Sequence, residues 1–408
     1  MKFVLRPLKE TGFGFQALAA GFSLMLAVGL GAVWYMEHNG HIVTGMNNQV
    51  VWGLPHVFAV FLVVAASGAL NMASMASVFG KTEFKPLAPL SGVLAIALLA
   101  GGLLVLMLDL GRPDRLLVTV THMNFKSIFS LNIFLYSGFF GFVAAYIWTM
   151  MERRMNRFTP LAGFFAFIWR MALTTGTGSI FGFLVARQAY DSALLAPLFI
   201  AISLSYGLAV FIWVLMLACH AGDRPLGDVL VAKLARLQII FIAAGFYFVL
   251  VYHLTNMYFT KHHDFEHFIL LEGGIYTALF WLGQIVLGCV VPLLMLLHPN
   301  IGALRGRVAA SAGLVMVGGL AQMYVTIVGG QAFGLVLFPG YQVRSSFYDG
   351  VTANYASSLP EWLLGLGGVA LVGLIVMLAL RVLGFLPERL DDSVFNANSA
   401  AATAHASA

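Results

Sequence analysis

Charge is what this chain has least of: Asp, Glu, Lys and Arg together make up 10% of its 408 residues. Soluble domains carry about 25%, so a soluble enzyme is excluded. Cysteine is almost absent as well, with Cys219 and Cys289 each alone in an apolar run. Two separated thiols rule out a disulfide framework, a four-thiolate iron–sulfur cluster and a cysteine zinc site. Any redox metal must then sit on a partner. The net charge of +5 matters less than where the charges fall, and no nucleic-acid partner is expected.

What is present is apolar: 60% hydrophobic residues and a mean hydropathy of +0.90. Disorder needs the opposite composition. Apolar runs fall at 14–36, 53–79, 90–108, 128–150, 162–186, 193–219, 237–258, 275–298, 308–331 and 359–384. Each is long enough to cross a bilayer with some tilt. Within one segment, only a helix satisfies the backbone in lipid. The expectation is an all-α integral membrane protein with ten transmembrane helices. The first run is longer than a signal-peptide core and lacks a small-residue cleavage site, so it reads as a span. The organisation predicted is an N-terminal segment 1–13, one membrane domain 14–390 and a disordered tail 391–408. No soluble domain is inserted. The long loop 332–358, with Pro339 and Gly340, reads as a cover for a site or a contact for a partner.

Basic residues set the orientation. With the N-terminus inside, the inner segments hold Lys2, Arg6, Lys9, Lys81, Lys85, Arg153, Arg154, Arg157, Arg224, Lys233, Arg236, Arg305, Arg307, Arg381 and Arg389. The outer segments hold only Arg112, Arg115, Lys126, Arg187, Lys261 and Arg344. Both termini are therefore expected in the cytoplasm.

Ionisable residues inside a membrane are expensive and mark functional sites by default. On this topology they gather towards the outer face. His56 lies one turn inside helix 2, Asp109 and Arg112 end helix 3, and His122 and Asn124 lead into helix 4. Arg187 ends helix 5, while His253 and Asn256 end helix 7. Residues at helix ends can simply snorkel, and Asp109 could merely pair with Arg112. His56 is harder to explain away, because its helix is otherwise apolar. Arg170 is the costliest residue, placed beside the small polar stretch Thr174–Ser179, with Asn71 able to reach it across the bundle. The histidines at 262, 263 and 267 could bind a metal, although their spacing is no zinc pattern. His56 and His253 share a depth and could ligate a b-type haem.

Several segments resemble the NrfD/PsrC family of quinone-interacting membrane proteins. They are Leu108-Asp109-Leu110-Gly111-Arg112-Pro113, Trp52-Gly53 with the run Ala65–Gly68, and His122-Met123-Asn124 before Ser127. Ten runs, the Thr44–Asn48 loop and Pro360-Glu361-Trp362 are similar to its longer branch. That branch includes membrane subunits of hydrogenases, alternative complex III and the Dsr sulfur-metabolism complex. The resemblance implies two four-helix bundles, helices 2–5 and 6–9, with helices 1 and 10 outside them. It implies a quinone site in the first bundle near the outer face, without any cofactor bound covalently by this chain; no haem or iron–sulfur cluster on this chain is expected. Some longer-branch members carry histidine where this chain has Ala65–Ser67 or Leu173, so their proton routes do not transfer.

The expected function is a quinone-reactive subunit of a multi-subunit oxidoreductase in a bacterial inner membrane, not catalytic alone. His56 and Asp109 are the expected acid–base pair of the chemistry. His56, Asn71, Asp109, Arg112, His122, Asn124 and Arg170 are the candidate binding residues for menaquinone or ubiquinone. Asp109 would pass protons outward, and Arg112 would hold it ionised. Besides lipid, the resemblance implies a periplasmic ferredoxin-like iron–sulfur subunit, cytochrome c and cytochrome b subunits, and cytoplasmic iron–sulfur subunits as partners. A cytochrome, a transporter and a membrane anchor with a degenerate site stay open as alternatives.

Overall fold

Apolar side chains and self-satisfied backbone produce helices in every one of the ten runs. The computed structural model describes residues 4–8, 12–335 and 350–392. The tail from 393, Lys2, Lys9, Pro339, Gly340 and Arg344 lie outside the described residues. The ten long helices are α1 (Phe13–Asn39), α2 (Leu54–Ser77), α3 (Ala88–Leu108), α4 (Ile128–Met151) and α5 (Thr159–Gly182). They continue with α6 (Leu195–Ala221), α7 (Asp228–Tyr258), α8 (Ile275–Leu297), α9 (Arg305–Ala332) and α10 (Leu359–Val382). Among the described residues, 9 helices are long and apolar enough to cross a membrane. Only α5 of the ten is not among them. Arg170 and the Thr-Gly stretch lower its hydropathy, although its 24 residues are enough to span.

α2, α3, α4 and α5 pack around one interior, and α6, α7, α8 and α9 around another. α1 lies against α10, and α10 against α2 and α3. Glycines set the closest approaches. Gly68 on α2 meets Ser203 and Gly207 on α6, joining the two rings of helices. Gly288 on α8 meets Gly318 on α9 in the same way. Without a hydrophobic driving force between helices in lipid, such backbone proximity is what holds them together.

Two departures from regular helix matter. α2 breaks at Leu70, because the Ser91 hydroxyl of α3 enters its ladder. It donates to the Ala69 carbonyl at 2.6 Å and accepts the Ala73 N–H at 3.3 Å, replacing the bond those two groups would make to each other. The second departure is a set of π-helical segments, Phe268–Glu272, Leu279–Val290 and Val325–Gly329. All three belong to the second half of the chain, and periodicity gives no sign of them.

The two ends meet. β1 (Leu5–Arg6) pairs antiparallel with β2 (Leu386–Pro387), and Arg224 donates to the carbonyls of Pro387, Arg6 and Pro7 beside them. The N-terminal and C-terminal segments therefore share one side of the protein.

Candidate functional site

Asp109 is the residue after α3, and its side chain is fully enclosed. Its Oδ2 lies 2.6 Å from Nδ1 of His56 on α2. A buried carboxylate without a partner is costly, so the imidazole is what makes Asp109 tolerable there. The carboxylate in turn fixes the ring. It favours the tautomer with the proton on Nδ1 and leaves Nε2 as a free acceptor.

His56 forms part of the wall of a cavity of about 380 Å³ lined by α2, α3, α4 and α5, by the segment 110–119 that follows α3, and by Ile327 of α9. The volume falls in the range of sites for flat organic ligands. Trp52 stacks on His56 with ring centroids 5.9 Å apart, and meets Phe181 edge-on at 5.8 Å. On α4, Asn132 faces the same cavity. Its amide donates to the carbonyls of Ile128 at 2.8 Å and Gly176 at 3.1 Å. Its Oδ1 is buried without a partner among the described residues. An orphaned acceptor normally signals a missing donor. Tyr136 and Thr177 add hydroxyls to an otherwise apolar wall. The cavity therefore offers an imidazole nitrogen, an amide oxygen and aromatic faces. That set fits a planar ring carrying two hydroxyl groups.

The sequence-predicted residues divide into three places. His56, Arg112 and Arg115 line the cavity, and Asp109 stands behind it, bonded to His56. Arg112 does not hold Asp109, however. Gly111 and Pro113 turn the chain outward, and Arg112 grips Asp114 by two bonds of 3.1 and 3.2 Å. That hydrogen bond holds the exposed Asp114 carboxyl below the usual carboxylate range. His122 and Asn124 do not contribute to the cavity wall. His122 contacts Thr121 at 3.0 Å, and Asn124 accepts the Lys126 N–H at 3.0 Å, both on the exposed loop.

Asn71 and Arg170 form a third place, roughly 20 Å along α2 from His56. Arg170 donates to Asn71 Oδ1 at 2.9 Å and to the Ser67 carbonyl at 3.0 Å. Thr174 closes the group with a 2.6 Å bond to Ser67. The reach of Asn71 across the bundle to Arg170 is thus present, but this cluster is a helix tie rather than a wall of the cavity.

His253 sits on α7 in the other ring of helices, its Nδ1 2.7 Å from Glu266. His56 on α2 and His253 on α7 belong to different bundles, which does not suit them as a haem pair. Among the described residues, no three His, Cys, Asp or Glu side chains gather to hold a metal ion. That includes His262, His263 and His267.

Asn132, Tyr136 and Phe181 do not stand out as site residues in the sequence, while Thr177 does so only within the polar stretch beside Arg170 and Trp52 only as part of a motif. Asn132 carries a usable signal, an amide one turn into an apolar span. The others are ordinary membrane-helix residues, and only the packing reveals them.

Helices of this length and hydropathy define a multi-pass integral membrane protein. More narrowly, residues 42–335 match the model of the family described as "Polysulphide reductase, NrfD", and the chain belongs to that family. It is 27% identical over 389 residues to the Hdr-like menaquinol oxidoreductase integral membrane subunit of Archaeoglobus fulgidus, covering 95% of this chain and 98% of the relative. It is 22% identical to a subunit of the selenate reductase of Mesobacillus selenatarsenatis, over 87% of this chain and 90% of that one. A subunit of the polysulfide reductase of Wolinella succinogenes is 26% identical, over 70% of this chain and 96% of its own length.

Proposed function

We propose that this chain is the quinone-interacting membrane subunit of a multi-subunit oxidoreductase. It would exchange electrons between the quinone pool and an iron–sulfur subunit on the outer face. The observation that carries this reading is His56 on the wall of an apolar cavity, its Nδ1 held by the buried Asp109 carboxylate, with the unpartnered Asn132 oxygen in the same wall. Quinol chemistry moves two electrons and two protons. His56 Nε2 accepts a proton from a bound hydroxyl, and Asp109 stabilises the imidazolium that forms. Asn132 Oδ1 accepts a hydrogen bond from the same kind of hydroxyl, and the Trp52 and Phe181 rings exclude water. The relative named as a menaquinol oxidoreductase subunit favours menaquinone over ubiquinone.

The finer reading is a DsrP-like subunit with ten spans as one membrane domain over 14–390, both termini in the cytoplasm, in a bacterial inner membrane. Cytochrome c, cytochrome b and cytoplasmic iron–sulfur subunits would complete the complex. The basic-residue asymmetry supports the orientation, and the paired ends support an even number of crossings. A reporter active only in the cytoplasm, fused after Ala408, is expected to be active. Activity of a periplasm-only reporter at that position would reverse the assignment and place His56 at the inner face.

Filling the cavity tests the site itself. Val60 lines it and is not tightly enclosed, so Val60→Trp puts an indole where a quinone ring would lie. Quinone-linked turnover of the whole complex is expected to fall at least tenfold, while the partner subunits stay bound and reducible by soluble dyes. Unchanged quinone kinetics with the indole in place would exclude this cavity as the site.

A further inference from the structure

The second ring of helices contains an acid–base group of its own, which the quinone reading does not use. Glu266, 2% exposed, accepts from Asn256 Nδ2 at 2.9 Å through Oε1 and meets His253 Nδ1 at 2.7 Å through Oε2. The Phe280 ring packs edge-on against the imidazole, with centroids 4.8 Å apart. His253 lines a cavity of about 30 Å³, room for one or two water molecules and far too little for a quinone ring. All three π-helical segments supply its wall, through Ile269, Gln284, Val325 and Thr326. Such segments recur at functional sites, because their wider turns displace side chains and loosen the backbone ladder.

Polar groups continue inward from there. Gln284 is 4% exposed, has no side-chain hydrogen bond among the described residues, and lines both this cavity and a neighbouring one of about 20 Å³. Gln322 lines both as well and accepts from the Tyr206 hydroxyl. Ser205 borders the second cavity and accepts from Gln238 at 3.1 Å, whose own Oε1 is buried without a partner among the described residues. Buried amides with open positions in water-sized spaces are the ordinary signature of internal water.

We propose that His253 and Glu266 form a hydrated proton-holding site in the second bundle, separate from the cavity at His56 and fed by water along Gln284, Gln322 and Tyr206. His253 Nε2 takes a proton from a water of the cavity, and that water is reprotonated from bulk in the same relay, so that no hydroxide is left behind. Glu266 keeps the Nδ1 proton between the two groups and balances the imidazolium charge; release reverses the step. The other titratable groups near the pair are held elsewhere. Tyr252 donates to the Ala189 carbonyl at 2.5 Å, and His262 is bonded to the Gln188 carbonyl at 2.5 Å. His263 contacts the Met257 carbonyl, and His267 faces Glu272 at 3.5 Å, both exposed, as is Asp264. From α6, Leu195 and Leu198 bring only apolar surface to the first cavity, and α8 and α9 bring neutral side chains to it. Tyr206 and Cys289 border the second cavity, and among the described residues no Lys or Arg lines either.

The test is infrared difference spectroscopy of the full-length chain in lipid nanodiscs, titrated over about pH 4–10 with isotope-labelled histidine. In the unaltered protein, imidazole and carboxylate bands are expected to change together in one transition. Glu266→Gln should remove the carboxylate bands and lower the proton affinity of His253 at least about tenfold, since an opposing charge is lost. Gln284→Leu should slow hydrogen–deuterium exchange of the same bands at least tenfold by drying the cavity. If Glu266→Gln does not accumulate, His253→Gln reads the pair from the other side, with the carboxylate transition expected to shift. A His253 transition insensitive to Glu266, or no titration of either group in this range, overturns the proposal. Quinone turnover reads the other cavity, so a failure here leaves the function proposed above standing.

Discussion

His56→Gln is expected to lower quinone-linked turnover by roughly 10²–10⁴-fold, the usual span for losing a positioned general base, with the complex still assembled and still reducible by dyes. Glutamine is the informative replacement because of Asp109. Its carboxylate is fully enclosed, and its Oδ1 already lacks a partner among the described residues. The amide of glutamine can still donate to Oδ2, yet it cannot take up a proton. Leucine suits the apolar helix, but it would leave that carboxylate buried alone, a loss of about 3–5 kcal/mol unless the acid protonates. A poor yield of His56→Leu would therefore say nothing about chemistry. Asp109→Asn offers the complementary case, with the hydrogen bond kept and the charge gone; its turnover should fall too, by less than for His56→Gln. Steady-state kinetics with a soluble menaquinol analogue decide the matter. Wild-type rates in His56→Gln would make this histidine a packing residue.

The reasons for that choice mark how far the sequence could be read. Apolar run length located all ten long helices to within a turn or two, except that α7 begins at Asp228 rather than near 237. Lipid makes run length a physical requirement, which is why it is so legible. The cost of an isolated ionisable group likewise drew attention to His56, Asp109 and Arg170. Pairings were less legible. Arg112 looked like the partner of Asp109 because they are near in sequence, but the turn at Gly111 and Pro113 sends them apart, and the true partner lies on another helix. His122 and Asn124 share the depth of the site and sit in a family-like segment, but depth fixes one coordinate of three and the segment fixes no side-chain direction. Asn71 and Arg170 do meet, at the other end of α2. The aromatic and hydroxyl walls of the cavity, and the π-helical segments, depend on how neighbouring helices nest. No local pattern encodes that.

Gly207→Leu is expected to abolish accumulation of the folded protein. Gly207 on α6 and Gly68 on α2 cross with their backbones in contact, and a Cβ on either would overlap main-chain atoms of the other helix. Side chains can rotate away from an intruding group, whereas backbone cannot, so the helices would have to separate. Overpacking in a core usually costs about 1–3 kcal/mol; parting two helices along their shared seam forfeits packing on both bundles at once, and losses above about 4–5 kcal/mol mark such a mechanism. The damage reaches the site, because α2 carries His56 and the Ser67 contacts to Arg170 and Thr174. Gly207→Ala should already lower thermal stability measurably. Gly31→Leu on α1 is the control, since nothing lies within 4 Å of a Cβ there, and it should leave yield and melting temperature unchanged. Fluorescence-detected size exclusion of detergent-extracted protein reads all three. A monodisperse Gly207→Leu peak with the wild-type melting temperature would mean that the helices do not cross at these glycines, and that the wall between the two bundles is built some other way.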